Sequence, residues 1–209
     1  YSFTSKQVQE LTYQDLDRMV CRLDDCIEGF TCSWSSCRDT IRIKSNYTFV
    51  VGTIPDSLPH EEEPKWHYEI SINRGNIAII SFRAYMNRTR VFNITHSRVR
   101  WIDQKVLESL QVAGEVIDLS YNDLQWLPQP SDSTWLPQLQ IYLKSNPWQC
   151  SCRNIWMQHW IQDHSPVVER KQILCHSPVY NIGEPIANLN HASFMCPDTL
   201  VPIICASLM

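Results

Sequence analysis

Three observations predict an α/β-type solenoid, a short array of three to four repeats with cysteine-rich N- and C-terminal caps. The first is the stretch from Leu143 to Trp160. A turn ending at Asn146 runs through Pro147 and Trp148 into Cys150-Ser151-Cys152, then into a segment carrying Trp156 and Trp160. The last repeat of an array has no neighbour to cover its apolar face, and a disulfide-bonded cap supplies that cover. The second is a pattern, apolar-x-apolar-x-x-(Asn)-x-apolar, that recurs four times. The third is the cysteine distribution. Cys21, Cys26, Cys32 and Cys37 form one group and Cys150, Cys152, Cys175 and Cys196 another, with 112 cysteine-free residues between them.

Read in chain order, residues 1–20 are an N-terminal extension. Val8, Leu11, Leu16 and Met19 allow a short amphipathic helix there, or a terminus without fixed structure. Residues 21–52 form the N-terminal cap. Residues 53–66 are rich in proline and acid and read as a solvated loop, with an acidic docking strip as the alternative.

Residues 67–146 hold the repeats. They begin at Ile70-Ser71-Ile72, Phe92-Asn93-Ile94, Ile117-Asp118-Leu119 and Ile141-Tyr142-Leu143. With the second apolar residue as the mark, they fall at 72, 94, 119 and 143, in steps of 22, 25 and 24. Those steps sit within the period of about 20–29 residues of leucine-rich repeats. The alternating pair makes a short strand with one inward face. Asn122 and Asn146 are expected to bond neighbouring backbone in the turn. Arg74-Gly75 and Ser97 stand where the first two repeats lack that asparagine, so irregular turns are expected there. Residues 129–136 read as a turn-rich convex segment.

Residues 147–197 are the C-terminal cap. Its helix is expected to bury a stripe of Ile155, Trp156, His159 and Trp160. Residues 198–209 are a tail or the start of a following, immunoglobulin-like domain. In that case Cys205 would pair outside this sequence; an interchain bridge or a free thiol are the alternatives.

Composition narrows the function. Net charge is −4 and no Lys/Arg block stands out, which argues against nucleic-acid binding. No apolar run approaches the roughly 18–20 residues of a membrane span. Three sequons, at Asn46, Asn87 and Asn93, accompany the two cysteine groups, and together they predict an extracellular glycoprotein with N-linked glycans. The first residue is Tyr1 and residues 1–20 do not resemble a signal peptide, so the chain reads as a processed or truncated secreted product.

Cys150-x-Cys152 has the wrong spacing for a zinc knuckle, and His159, His164 and His176 match no ligand pattern, so no metal or other cofactor is expected. No phosphate loop, nucleophile motif or HExxH helix occurs, and no catalytic site is expected. The positions left to vary are the outward strand residues. Among them Asp118, Tyr121, Tyr142 and Lys144 make the best candidate partner-binding patch on composition.

From about Cys21 to Cys196 the chain resembles the N-terminal leucine-rich-repeat region of the Trk family, the neurotrophin-type receptor tyrosine kinases. Three features carry the resemblance: few repeats between two cysteine groups, the Asn146–Cys152 run before a helix with Trp156, and Ile186-Ala187-Asn188-Leu189 ahead of Cys196. The resemblance implies pairings Cys150–Cys175 and Cys152–Cys196, and a crossed Cys21–Cys32 and Cys26–Cys37. It also implies a membrane-anchored parent with a cytoplasmic kinase, engaged in neuronal signalling and contacting an extracellular protein ligand or another receptor copy. No ligand-contacting residue carries over, because in this family those contacts lie largely in a membrane-proximal immunoglobulin domain. The first cysteine group departs from the family pattern: its gaps are four, five and four residues with no Cys-x-Cys. On spacing alone its connectivity is one of three. An adhesion or matrix repeat protein without a kinase, and a secreted decoy, are the alternative functions.

Overall fold

A computed structural model describes residues 21–22, 26–35, 39–45, 50–131, 136, 138–162 and 166–194. Asn46, Cys37, Cys196, Cys205, the N-terminal extension and the 198–209 tail lie outside the described residues.

Among the described residues, one sheet of seven strands organises the chain. Its members are β1 (Cys21–Arg22), β2 (Phe30–Ser35), β3 (Thr40–Ser45), β4 (His67–Asn73), β6 (Thr89–Thr95), β8 (Val116–Asp118) and β9 (Gln140–Tyr142), paired in that order. The pairs β1–β2 and β2–β3 are antiparallel, and every pair from β3 onward is parallel. Each parallel strand from β4 to β9 begins one repeat of the sequence pattern. A second, two-stranded sheet joins β5 (Ile79–Ile80) to β7 (Trp101–Ile102) further along the same repeats.

Alternation along the strands builds the core. Ile70, Ile72, Phe92, Ile94, Ile117, Leu119, Ile141 and Leu143 are all buried in one continuous cluster, while the residues between them face out. Helix α1 (Gln104–Ala113) backs this core with Val106, Leu107 and Leu110.

The turns after the strands are regular, contrary to the sequence expectation for the first two. Arg74, His96, Tyr121 and Ser145 all have positive φ, and each stands two residues after the inward mark of its repeat. One residue later comes a buried polar rung. Asn122 Oδ1 accepts from the backbone N–H of Ser97 at 2.9 Å and of Val99 at 3.2 Å. Its Nδ2 donates to the carbonyls of Ile94 and Leu119. Asn146 repeats the arrangement, accepting from Leu124 N and donating to Leu119 O and Leu143 O. Ser97 does the same work with a shorter side chain: its Oγ accepts from Gly75 N at 3.0 Å and donates to Thr95 O at 2.8 Å. Gly75 fills the first rung in a tight space, since a Cβ there would stand 3.0 Å from the Val51 carbonyl and 3.1 Å from Ser97 Oγ. The ladder satisfies backbone groups at the turns that no strand partner reaches.

The segment at 53–66 is packed onto the repeats. Ile54, Pro55 and Leu58 are buried. Arg88 donates to the carbonyls of Glu61 and Glu63, Tyr85 Oη to that of Pro55, and Tyr68 Oη to that of Pro59. Burial pushes the Tyr68 hydroxyl up to about 12. The proline-rich stretch is thus latched to the repeats by three side chains, and its acidic residues surround the latch.

Two corrections concern the caps. Cys26 is bonded to Cys32, with Cα atoms 5.4 Å apart, in place of the crossed Cys21–Cys32 and Cys26–Cys37 pairing. The strand register explains it, because Cys21 lies opposite Trp34, displaced from Cys32. At the other end, helix α2 (Ile155–Gln162) buries Met157, Gln158 and Ile161, following Asn154. Trp156 and Trp160 are half-buried and stack on each other with centroids 5.4 Å apart, and His159 is exposed. The helix is therefore rotated relative to the expected stripe. The reason is polar: Gln158 Nε2 donates to Leu189 O, and Asn154 Nδ2 to Gln125 O and Gln149 O. These amides close carbonyls of the third repeat and the cap, and the hydrocarbon face follows them inward.

Cys150 and Cys175 are bonded, with Cα atoms 5.7 Å apart. This bond ties β10 (Trp148–Gln149) to β11 (Cys175–Ser177), which pair in parallel. Cys152 is also in a disulfide.

Candidate protein-binding face

The outward residues of the parallel sheet form rows, because strand pairing puts equivalent residues side by side. One row runs Lys44, Ser71, Asn93, Asp118, Tyr142. A parallel row begins with Arg42 and Glu69, whose side chains pair at 2.6 Å, and continues through Val91, Val116 and Gln140. Asn93 is therefore central, with Ser71 on one side and Asp118 on the other, and its Oδ1 is buried. Asn87 is exposed, in the short 3-10 helix Ala84–Arg88 that precedes β6.

The four residues singled out on composition lie together on the last two strands. Asp118 pairs in register with Tyr142. Asp118 Oδ1 accepts from Ser120 N at 2.9 Å, which fixes its carboxylate at the head of the turn. Tyr142 Oη donates to Gln140 Oε1 at 3.0 Å. Tyr121, at positive φ, projects from the turn and is 44% exposed. The Lys144 ammonium sits 6.0 Å from the Tyr121 ring centroid.

Two partners complete the patch that sequence reading missed. His96 stacks on Tyr121 almost face to face, with centroids 4.4 Å apart and planes 8° from parallel. Glu169 pairs with Lys144 at 2.9 Å, and its hydrogen bond holds the lysine above the usual ammonium range. His96 was legible in principle, since it occupies the same repeat position as Tyr121. Glu169 was not, because it arrives from beyond the cap helix.

The patch mixes a stacked aromatic pair, a phenol, a carboxylate and a fixed cation on rigid strand ends. That is the chemistry of a protein contact surface, with aromatic anchors rimmed by charge. Among the described residues no cluster of His, Cys, Asp and Glu could hold a metal ion, and no helix is long and apolar enough to cross a membrane.

A parallel strand row with a polar ladder at its turns, closed by a disulfide-bonded cap, is the fold of a leucine-rich-repeat array. No family model matches the chain. In sequence it is similar to immunoglobulin superfamily member 10 of Homo sapiens, 37% identical over 89 residues, which are 37% of this chain and 3% of that protein. It is also similar to vasorin of Mus musculus, 30% identical over 113 residues, 53% of this chain and 16% of that one. In structure it is similar to the Toll–Spatzle complex of Drosophila, at TM-score 0.68 and 20% identity, over 91% of this chain and 24% of that chain. The chain thus spans a small part of the length of the relatives it matches. These likenesses support the leucine-rich-repeat class and give no support to the narrower resemblance to the Trk kinases.

Proposed function

We propose that the chain is an extracellular, short solenoid module of a receptor or adhesion protein. It binds a protein ligand through the C-terminal half of its concave sheet. The observation that carries this reading is the convergence of Asp118, Tyr121, Tyr142 and Lys144 with His96 and Glu169 on adjoining strand ends. The Toll–Spatzle likeness supports a protein as the ligand class. A Trk-type receptor with a kinase and a repeat protein of adhesion, matrix or decoy type fit this module equally, and a cytoplasmic sequence separates them. The disulfide Cys152–Cys196 completes the C-terminal cap on this reading.

The test is a dimerised fusion of the full chain, applied to an array of secreted and cell-surface ectodomains that includes the chain itself. Hot-spot truncation typically costs 2 kcal/mol or more, so Tyr121→Ala combined with Lys144→Glu is expected to weaken the captured ligand at least about tenfold. Retained affinity in the double variant overturns the assignment of the patch.

A further inference from the structure

A second surface lies on the flank of the array, where the chain turns away from the strands. Ile79, Trp101 and Trp126 occupy the same position in successive repeats, seven residues after each inward mark. Ile79 and Trp101 pair across the small second sheet and are 56% and 37% exposed. Trp101 and Trp126 meet edge to face with centroids 4.0 Å apart. Beyond them stands Arg153 of the cap, its guanidinium 3.1 Å from the Trp126 ring centroid and 5.7 Å from that of Trp101. Two open hollows adjoin at Trp126, one edged by Arg100 and Asp123, the other by Trp101 and Arg153.

The flank carries two guanidiniums, Arg100 and Arg153, and two carboxylates, Asp103 and Asp123. Arg153 is exposed and has no ion-pair partner among the described residues. Arg100 has a side chain that is 75% exposed, with Asp123 at 4.0 Å. Asp103 is already engaged by Phe82 N and by the Trp101 indole N–H. A guanidinium seated over an indole ring still presents N–H groups that a carboxylate can accept from. Parallel strands stand about 4.8 Å apart, so the strip from Ile79 to Arg153 runs roughly 14 Å, the reach of four or five extended residues.

We propose that this flank is a docking surface separate from the concave face. Its occupant is an extended acidic segment of a partner protein, with carboxylates on Arg100 and Arg153 and apolar side chains against Ile79 and the indole edges. A sulfated polysaccharide is the lesser fit. It takes lines of cations, whereas this strip alternates two guanidiniums with indoles on a chain of net charge −4.

The full chain is panned against randomised short peptides, and enriched peptides are synthesised and measured by fluorescence anisotropy. The expected result is enrichment of peptides that combine Asp or Glu with aliphatic or aromatic residues. Their affinity should fall about tenfold or more in Arg153→Glu and in Trp101→Ser, a loss of hot-spot size, and stay unchanged in Tyr121→Ala/Lys144→Glu. Arg100→Glu carries the same test from a more exposed side chain should either flank variant melt early. The proposal is overturned if no such peptide is enriched, if binding survives Arg153→Glu and Arg100→Glu, or if only a heparin fragment binds the flank.

Discussion

Replacing Asn122 by alanine is expected to destabilise the protein by about 3–5 kcal/mol, one of the largest effects of any single polar substitution here. The residue is 5% exposed and spans two repeats. Truncation strands the N–H groups of Ser97 and Val99 and removes the donor to Ile94 O. An unsatisfied buried backbone group costs roughly 1–3 kcal/mol, partly relieved where water can follow. Denaturant unfolding measures the loss. The neighbouring Asp123→Ala is the comparison. Asp123 is half-exposed and 4.0 Å from Arg100, so its loss is expected to stay within about 0.5 kcal/mol.

Trp148→Ala is expected to cost about 3–5 kcal/mol, the usual range for deleting a core aromatic. Trp148 is fully buried, heads the largest wholly buried side chains, and donates from Nε1 to Leu143 O at 3.1 Å. It lies at the point where the last repeat becomes the cap, beside the Cys150–Cys175 bond whose loop is worth roughly 3.5 kcal/mol in the chain-entropy model. A fall in melting temperature on the order of 10 °C follows for a chain of this length. Trp156→Ala provides the contrast. That ring is half-buried against Trp160, and its removal is expected to lower the melting temperature by clearly less.

The repeat register was legible because strand alternation writes itself into sequence: Ile70/Ile72 through Ile141/Leu143 mark every inward pair. The turn asparagines were legible for the same reason, since Asn122 and Asn146 are the residue type that both accepts from and donates to backbone. Ser97 and Gly75 were not, because the role needs only a short acceptor in one case and empty space in the other. Nor do Arg74 and His96 announce a positive φ. The ladder imposes it on whatever residue stands there. The face of α2 was misjudged because hydrophobicity favours tryptophan inward, while Asn154 and Gln158 turn in to donate to the carbonyls of Gln125 in the third repeat and Leu189 in the cap. At the candidate site, four residues could be read from strand ends. His96 was open to the same reading, since it stands two residues after its inward mark as Tyr121 does, whereas Glu169 depends on a long-range approach that local pattern does not encode.

Hydrogen–deuterium exchange on the complex with a ligand captured from the ectodomain array tests the central claim most directly. Slowed exchange is expected over 116–121 and 140–145, the strand ends and turns that carry Asp118, Tyr121, Tyr142 and Lys144, with β3 and β4 unchanged. Protection confined to β3 and β4, to the back of the repeats or to the cap would contradict the assignment of ligand binding to the C-terminal half of the concave sheet.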